Sequence, residues 1–123
     1  MSKKILIVDD DPMLRKMYAK KFEIAGFEVE VASNGEEGMQ KAQADKFNLI
    51  ISDVMMPKLD GLSLLKQLKA DSNLQNIPVI LLTNVGGSDS DKNRGIQAGA
   101  VDYLIKSQHP PAEIIEIAKK YLS

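Results

Sequence analysis

Four apolar runs in this chain each end in a residue that can handle charge. Ile5-Leu6-Ile7-Val8 ends in Asp9 and Asp10, Leu49-Ile50-Ile51-Ser52 in Asp53, Val79-Ile80-Leu81-Leu82 in Thr83, and Tyr103-Leu104-Ile105 in Lys106. If these runs are strands of one open parallel sheet, their carboxyl ends line the crevice where such sheets bind ligands. Three carboxylates gathered there repel one another unless a cation compensates them. Asp10 and Asp53 offer hard oxygen ligands, and few carboxylates with room for water and phosphate oxygens suit Mg²⁺ better than Ca²⁺, which demands a fuller oxygen shell. A carboxylate beside a divalent ion can act as ligand, base or nucleophile, and spacing alone leaves that choice open. Thr83 and Lys106 add a neutral donor and a compact cation, which are what phosphoryl transfer needs electrostatically.

Each residue also has a plainer reading. Asp9-Asp10-Asp11 can be a solvated turn that caps a helix, Thr83 a strand-end hydroxyl bonded to a turn, Lys106 a solvated lysine, and Tyr103 a half-buried core residue. Three adjacent acids exceed what a cap requires, however. Asp53 is followed by Val54, Met55, Met56 and Pro57, an apolar rather than a solvating neighbourhood. The weight of the chemical reading lies in co-occurrence at one sheet edge.

The elements that must position these residues alternate between strand and helix. Strand-like runs recur at Lys4–Val8, Glu28–Ala32, Leu49–Asp53, 78–83 and Asp102–Ile105. The first, third and fourth are apolar on both faces, as strands covered by helices on both sides are, whereas Glu28-Val29-Glu30-Val31 alternates and reads as an edge strand. The expected architecture is one sheet between two helix layers. The first helix should start at Pro12 with Asp11 as its cap and end before Gly26, with Leu14, Met17, Tyr18 and Phe22 facing inward. Gly35–Ala44 and a leucine-rich Gly61–Ala70 follow, the latter closed by Asp71-Ser72-Asn73. The last helix, about 111–122, carries an apolar stripe of Ile114, Ile117, Ala118 and Tyr121. It leaves Ile115 and Leu122 looking exposed and available to a dimer or partner. The segment 88–98 is the weakest helix because of Gly95, since each interior glycine costs about 0.5–1 kcal/mol relative to alanine.

Composition narrows the function classes. At 123 residues the chain fits one domain, read as 1–123. Zero cysteines removes disulfides and thiolate metal sites, and His109 is the one imidazole. With 16 basic and 17 acidic residues, a net charge of -1 gives no general attraction to nucleic acid or to an anionic membrane. The run after Lys3-Lys4 is too short for a signal peptide, and no stretch is long and apolar enough to span a bilayer, so a cytoplasmic location is expected. Any partner must be recognised locally.

Asp9-Asp10 after the first strand, Asp53-Val-Met-Met-Pro after the third, Asp60-Gly61, Thr83 after the fourth, and Tyr103-Leu-Ile-Lys106 together resemble the response-regulator receiver domain of two-component signalling. The resemblance covers essentially the whole chain. It implies a flavodoxin-like (βα)5 sandwich with strand order 2-1-3-4-5, an order the general description of such folds gives for a receiver. It also implies that Asp53 is the phosphoacceptor, taking its phosphoryl group from a phosphohistidine on a sensor histidine kinase or a histidine phosphotransfer protein. Asp10, Asp53 and the Met55 backbone carbonyl would hold Mg²⁺, or Mn²⁺ in its place, with Asp9 acting through a bound water. Lys106 would pair with the acceptor or its phosphoryl group, Thr83 would turn to bond a phosphoryl oxygen, and Tyr103 would swing inward as the second half of a switch. Pro57 and Gly61 would shape the loop beneath the site. The readout would be the surface formed by the helix at 88–98, the strand through Tyr103 and the last helix, offered to an unidentified downstream protein by a monomer or a phosphorylation-dependent dimer.

Three departures from the family pattern carry expectations of their own. Receivers usually follow the lysine with a cis proline. Here Ser107 follows, and a cis bond before serine costs about 2.5–4 kcal/mol, so either that strain is carried or the turn is trans and aims Lys106 differently. Asn84 replaces a smaller residue after Thr83, where it either narrows access for a bulky donor or bonds the phosphoryl group. Met55 and Val85, two residues beyond Asp53 and Thr83, cannot position an attacking water, which predicts slow self-dephosphorylation. His109-Pro110-Pro111 reads as a solvated turn re-entering the last helix.

The chain is thus read as a phosphoacceptor, not an enzyme, that assists its own phosphorylation and dephosphorylation. Two alternatives stand beside it: an unphosphorylated receiver-like docking module, and the N-terminal receiver fragment of a larger DNA-binding regulator. A phosphatase with an aspartyl nucleophile, of the haloacid-dehalogenase kind, ranks lower because Met55 stands where its second acid should be.

Overall fold

The computed structural model describes residues 3–84 and 89–122. Five strands, β1 (Lys4–Val8), β2 (Glu28–Ala32), β3 (Leu49–Asp53), β4 (Val79–Thr83) and β5 (Asp102–Ile105), alternate with five helices. The helices are α1 (Pro12–Ile24), α2 (Gly35–Ala44), α3 (Gly61–Ala70), α4 (Asp89–Gln97) and α5 (Pro111–Lys120), and a single 3-10 turn (Lys106–Gln108) follows β5. All strand pairs are parallel, in the order 2-1-3-4-5. The flavodoxin-like architecture expected from the sequence is the one observed. Ser88, the expected start of the fourth helix, lies outside the described residues together with Val85, Gly86 and Gly87.

Alternation along the strands divides the core in two. Ile5, Ile7, Leu49, Ile51, Ile80, Leu82 and Leu104 pack with Tyr18 and Phe22 of α1 and Ile114 and Ala118 of α5. Leu6, Val8, Ile50, Val79, Leu81 and Tyr103 pack on the other face with Leu64, Leu65 and Leu68 of α3. Strands covered on both faces have no side to give to water, which is why β1, β3 and β4 are continuous apolar runs. β2 is an edge strand, and its alternating Glu28 and Glu30 keep that edge charged.

Local chemistry sets the helix starts beside the site. Asp11 is extended, and its carboxylate accepts from Met13 N at 2.9 Å and Leu14 N at 3.2 Å, with Pro12 opening α1. Asp60 caps α3 in the same way, accepting from Ser63 N at 2.8 Å.

One expectation is overturned. Ile115 and Leu122 are buried, with 7% and 6% exposure, and belong to the same packed cluster as Phe22 and Tyr18. The apolar surface of α5 and the residues that follow it is wider than the four residues read from its period, because α5 packs beside α1 on one face of the sheet and buries side chains toward both. Neither residue is available to a dimer. Among the described residues no helix is long and apolar enough to cross a membrane.

Candidate functional site

Strand register brings the charged strand ends level. Val8 pairs with Ser52 and Leu82 with Asp53, so the next residue of β1, Asp9, stands beside Asp53 while Thr83 is one step further along. Thr83 in turn pairs with Ile105, which places Lys106 just beyond it. Asp9, Asp53 and Thr83 are buried, at 2%, 4% and 3% exposure, whereas Asp10 faces solvent. Carboxylate oxygens of Asp9, Asp10 and Asp53 all lie within 4.8 Å of one another.

Lys106 ties this cluster together. Its Nζ donates to Asp9 Oδ2 at 2.9 Å and to Asp53 Oδ2 at 3.1 Å, bridging residues 97 and 53 positions away in sequence. Of the two outcomes expected for Ser107, the trans turn is the observed one: no described peptide bond is cis. The lysine stem is long enough to reach the acids from that trans turn. Asp53 Oδ1 receives Met55 N at 3.3 Å, and Asp9 Oδ1 receives Asp11 N at 2.9 Å.

Burial pushes the Asp53 carboxyl above the usual carboxylate range, and the Lys106 ammonium opposes that shift without cancelling it. Burial would pull Lys106 down, but its bonds and charge pairing with Asp9 and Asp53 outweigh it and hold the ammonium above the ordinary lysine value. The site is therefore a buried cation shared by two acids, one of which carries an unrelieved desolvation cost. A carboxylate in that condition has more to gain from a further cation or from a covalent bond than a solvated one.

The donor set fits a hard divalent ion. Two acids are buried and one is solvent-facing at the mouth, and among the described residues oxygens are the only ligand type and a single ammonium faces three carboxylates. That chemistry is as expected from the residues. Met55 itself is 67% exposed and Pro57 is also exposed, so the segment after Asp53 is less apolar in its surroundings than the sequence suggested.

A close backbone approach builds the floor of the site. Gly61 N donates to Val54 O at 3.0 Å, and a Cβ at Gly61 would stand 2.1 Å from the Asp53 carbonyl oxygen. Only glycine allows the start of α3 to touch the backbone of the acidic residue itself. Between them, Lys58 takes up the left-handed region with φ 67°, a conformation that costs a non-glycine residue energy and that the loop accepts to fold back on β3.

Some participants were not singled out from the sequence. Arg15 Nη1 donates to the Asp9 carbonyl at 2.9 Å, fixing the loop after β1 from the second turn of α1. Its position one turn after the Asp11 cap was the available signal. The Asp9–Lys106 pair was also unanticipated, since Asp9 was expected to act mainly through a metal-bound water. Tyr18 was read as core, and it is buried, yet Lys106, Asp9 and Asp53 all lie within electrostatic reach of its phenol. His109 Nδ1 lies 2.8 Å from Glu113 Oε1, so the turn histidine is tied to the start of α5.

A doubly wound parallel sheet with clustered acids, a buried hydroxyl and a bridging lysine at its carboxyl edge defines the class of receiver-like proteins. The family model for the response regulator receiver domain matches residues 5–119, and the chain belongs to that family. The gliding motility regulatory protein of Myxococcus xanthus is 43% identical over 105 residues, covering 85% of this chain but 13% of that protein. The alkaline phosphatase synthesis transcriptional regulatory protein PhoP of Bacillus subtilis is 40% identical over 110 residues, 89% of this chain and 45% of that protein. The chain thus spans less than half the length of these curated relatives. Among solved structures, the chemotaxis protein CheY4 of Vibrio cholerae superposes with a TM-score of 0.91 at 34% identity, covering 99% of this chain and all of that one. The BeF3-activated receiver domain of DrrB gives 0.86 at 29% identity, covering 99% and 98%. Receiver domains as a class are phosphoacceptor modules of two-component signalling rather than conventional enzymes, and their partners are histidine kinases or phosphotransfer proteins.

Proposed function

We propose that residues 1–123 form a phosphoacceptor domain in which Asp53 takes a phosphoryl group from a phosphohistidine on a sensor histidine kinase or histidine phosphotransfer protein. A carboxylate oxygen of Asp53 attacks phosphorus, an acyl phosphate bond forms, and the phosphorus–nitrogen bond breaks with its electron pair leaving on the imidazole. The observation that carries this reading is the buried Asp53 carboxylate held at 3.1 Å by Lys106. Lys106 is placed to stay with the oxygens as charge moves from the carboxylate onto the phosphoryl group. Asp10, Asp53 and the Met55 carbonyl are the groups to hold Mg²⁺, or Mn²⁺ in its place, with Asp9 acting through a water; when bound, the ion supplies the positive charge that the acids and the incoming phosphoryl oxygens require. Thr83 is the donor to a phosphoryl oxygen, and Tyr103, already buried at 8% exposure, is held inward behind it. α4, β5 and α5 then present the altered face to a downstream protein.

A cytoplasmic location goes with this reading. A second reading, the receiver portion of a larger DNA-binding regulator, is favoured by the relatives' names and by their greater length. Neither reading asks this domain to contact nucleic acid or membrane, in keeping with its net charge of -1.

The test is peptide mass spectrometry after incubation with Mg²⁺ and acetyl phosphate, with a phosphorylated kinase as the second donor. One phosphoryl group on Asp53, absent from the D53N variant, is the expected result. Labelling by the kinase but not by acetyl phosphate would point to a donor requirement. No modification by either donor would overturn the proposal in favour of a docking module. The phosphorylated form is also expected to outlast seconds, because the Met55 side chain cannot orient an in-line water and Val85, outside the described residues, is no better suited chemically. Loss of the label within seconds after donor removal would refute that expectation.

A further inference from the structure

Tyr103 stands between two spaces, and a missing side chain decides which one it can use. On its inner side is a cavity of about 240 Å³ lined by Leu81, Thr83, Gly95 and the Tyr103 ring itself. On its outer side is a groove of about 510 Å³ on the face of α4, β5 and α5, lined by Lys92, His109, Lys120 and Tyr121 along with Tyr103. The ring is seated inward, with 8% of the residue exposed. A Cβ built on Gly95 would meet Tyr103 Cδ2 at 2.9 Å and Leu81 Cδ1 at 3.2 Å. The first separation is closer than carbon atoms tolerate, so an added methyl group must displace something. Leu81 is a β4 residue buried among the core strands and has little room to withdraw. Tyr103 has the outer groove.

We propose that Gly95 is a positioning residue for Tyr103: the bare backbone on α4 forms the seat for the inward ring, and any larger residue there shifts the ring toward the outer face. The assignment of Tyr103 as half of a phosphorylation switch belongs to the function proposed above, and this inference rests on it for its consequence but not for its test. It also accounts for a glycine where the helix would otherwise benefit from alanine, a residue with better helix propensity at every interior position. The weakness of α4 is, on this view, what the seat requires. Because Thr83 lines the same inner cavity, the seat lies beside the hydroxyl that would report the state of Asp53.

The test uses the unphosphorylated protein, so it stands or falls independently of whether Asp53 accepts a phosphoryl group. Chain labelled with 3-fluorotyrosine gives fluorine resonances for Tyr18, Tyr103 and Tyr121, with the Tyr103 signal identified by its loss in Tyr103→Phe. In Gly95→Ala the Tyr103 resonance is expected to move and to acquire a solvent-isotope shift, while those of Tyr18 and Tyr121 stay in place. Urea midpoints provide the second reading. Gly95→Ala should lower the midpoint in the native background and raise it in a Tyr103→Ala background, where no ring occupies the seat, the vacated space lets Leu81 Cδ1 at 3.2 Å give way, and helix propensity favours alanine. That reversal of sign is something a merely structural glycine would not produce. An unmoved Tyr103 resonance, or a Gly95→Ala effect of the same sign in both backgrounds, would overturn the proposal.

Discussion

Replacing Lys106 with methionine is expected to destabilise the metal-free protein by about 3 kcal/mol, the scale seen when one partner of a buried ion pair is removed and the other charge is left unpaired. Asp9 and Asp53 are 3% and 4% exposed at their side chains and share this one ammonium. Urea unfolding in EDTA near neutral pH is the measurement. Three companion results follow from the same physics. Adding Asp53→Asn to the variant should recover much of the loss, because it removes one of the two stranded charges. Mg²⁺ should recover part of it by ligation to the folded state only. Lowering the pH should also shrink it: the Asp53 carboxyl is already held above its ordinary value by burial, so the folded state gains protons before the unfolded chain does. The sign follows directly. For a carboxyl with a raised folded value, stability is greatest below the unfolded value and is lost as pH climbs through the folded one. A Lys106→Met variant as stable as the parent in EDTA would show that the bridge is a convenience of geometry. Phosphorylation of that variant by acetyl phosphate should fall by at least about tenfold, as one electrostatic donor is commonly worth.

Gly61→Ala should be at least as damaging. The added Cβ would sit 2.1 Å from the Asp53 carbonyl oxygen, 2.9 Å from its carbonyl carbon and 3.0 Å from the Val54 Cα, all backbone atoms with no rotamer to escape into. Overpacking of this kind typically costs 1–3 kcal/mol where side chains can yield, so a loss on the order of 3 kcal/mol or more is expected here. The displaced atoms belong to the acidic residue itself, so the Lys106–Asp53 distance must change with them. Urea unfolding reads the stability, and the rate of labelling by acetyl phosphate reads the displacement. Gly26→Ala is the control: nothing lies within 4 Å of its built Cβ, so it should affect stability through backbone strain and leave labelling unchanged. A Gly61→Ala protein with native stability and labelling would mean that the loop 54–60 relaxes freely.

Much of this architecture was readable because four of the five strands announce themselves twice, by an apolar run and by a polar or charged residue that closes it, while β2 shows itself by alternation. Leu49–Asp53 and Asp102–Ile105 were placed to the residue, and Val79–Thr83 within one. The caps at Asp11 and Asp60 use nearest-neighbour chemistry, which is also local. What escaped was tertiary. Ile115 and Leu122 were judged by the period of one helix, yet their burial depends on how α5 is wedged against α1. The pairing of Asp9 with Lys106 depends on a register between strands far apart in the chain. Gly61 was read as a turn residue, whereas its tight constraint comes from a backbone brought up against it by β3. Gly95 was read as a weakness in a helix, whereas the ring beside it arrives from β5. Ser107 in place of proline left the turn open between cis and trans, and from the trans turn observed the flexible four-carbon stem of Lys106 reaches both Asp9 and Asp53.

The span of the Lys106 bridge has a bearing on biosynthesis. Asp9 and Asp53 leave the ribosome well before Lys106, which lies 97 and 53 residues behind them and directly follows the last strand of the sheet. A nascent chain therefore carries its acids for many seconds at ordinary elongation rates before their counter-charge exists. Such a chain has no completed sheet and no bridged carboxylate. Synthesis itself thus delays assembly of the acidic edge until the final strand and the lysine after it have been made, and a prematurely released fragment lacking them would display Asp53 without the ammonium that bridges it to Asp9.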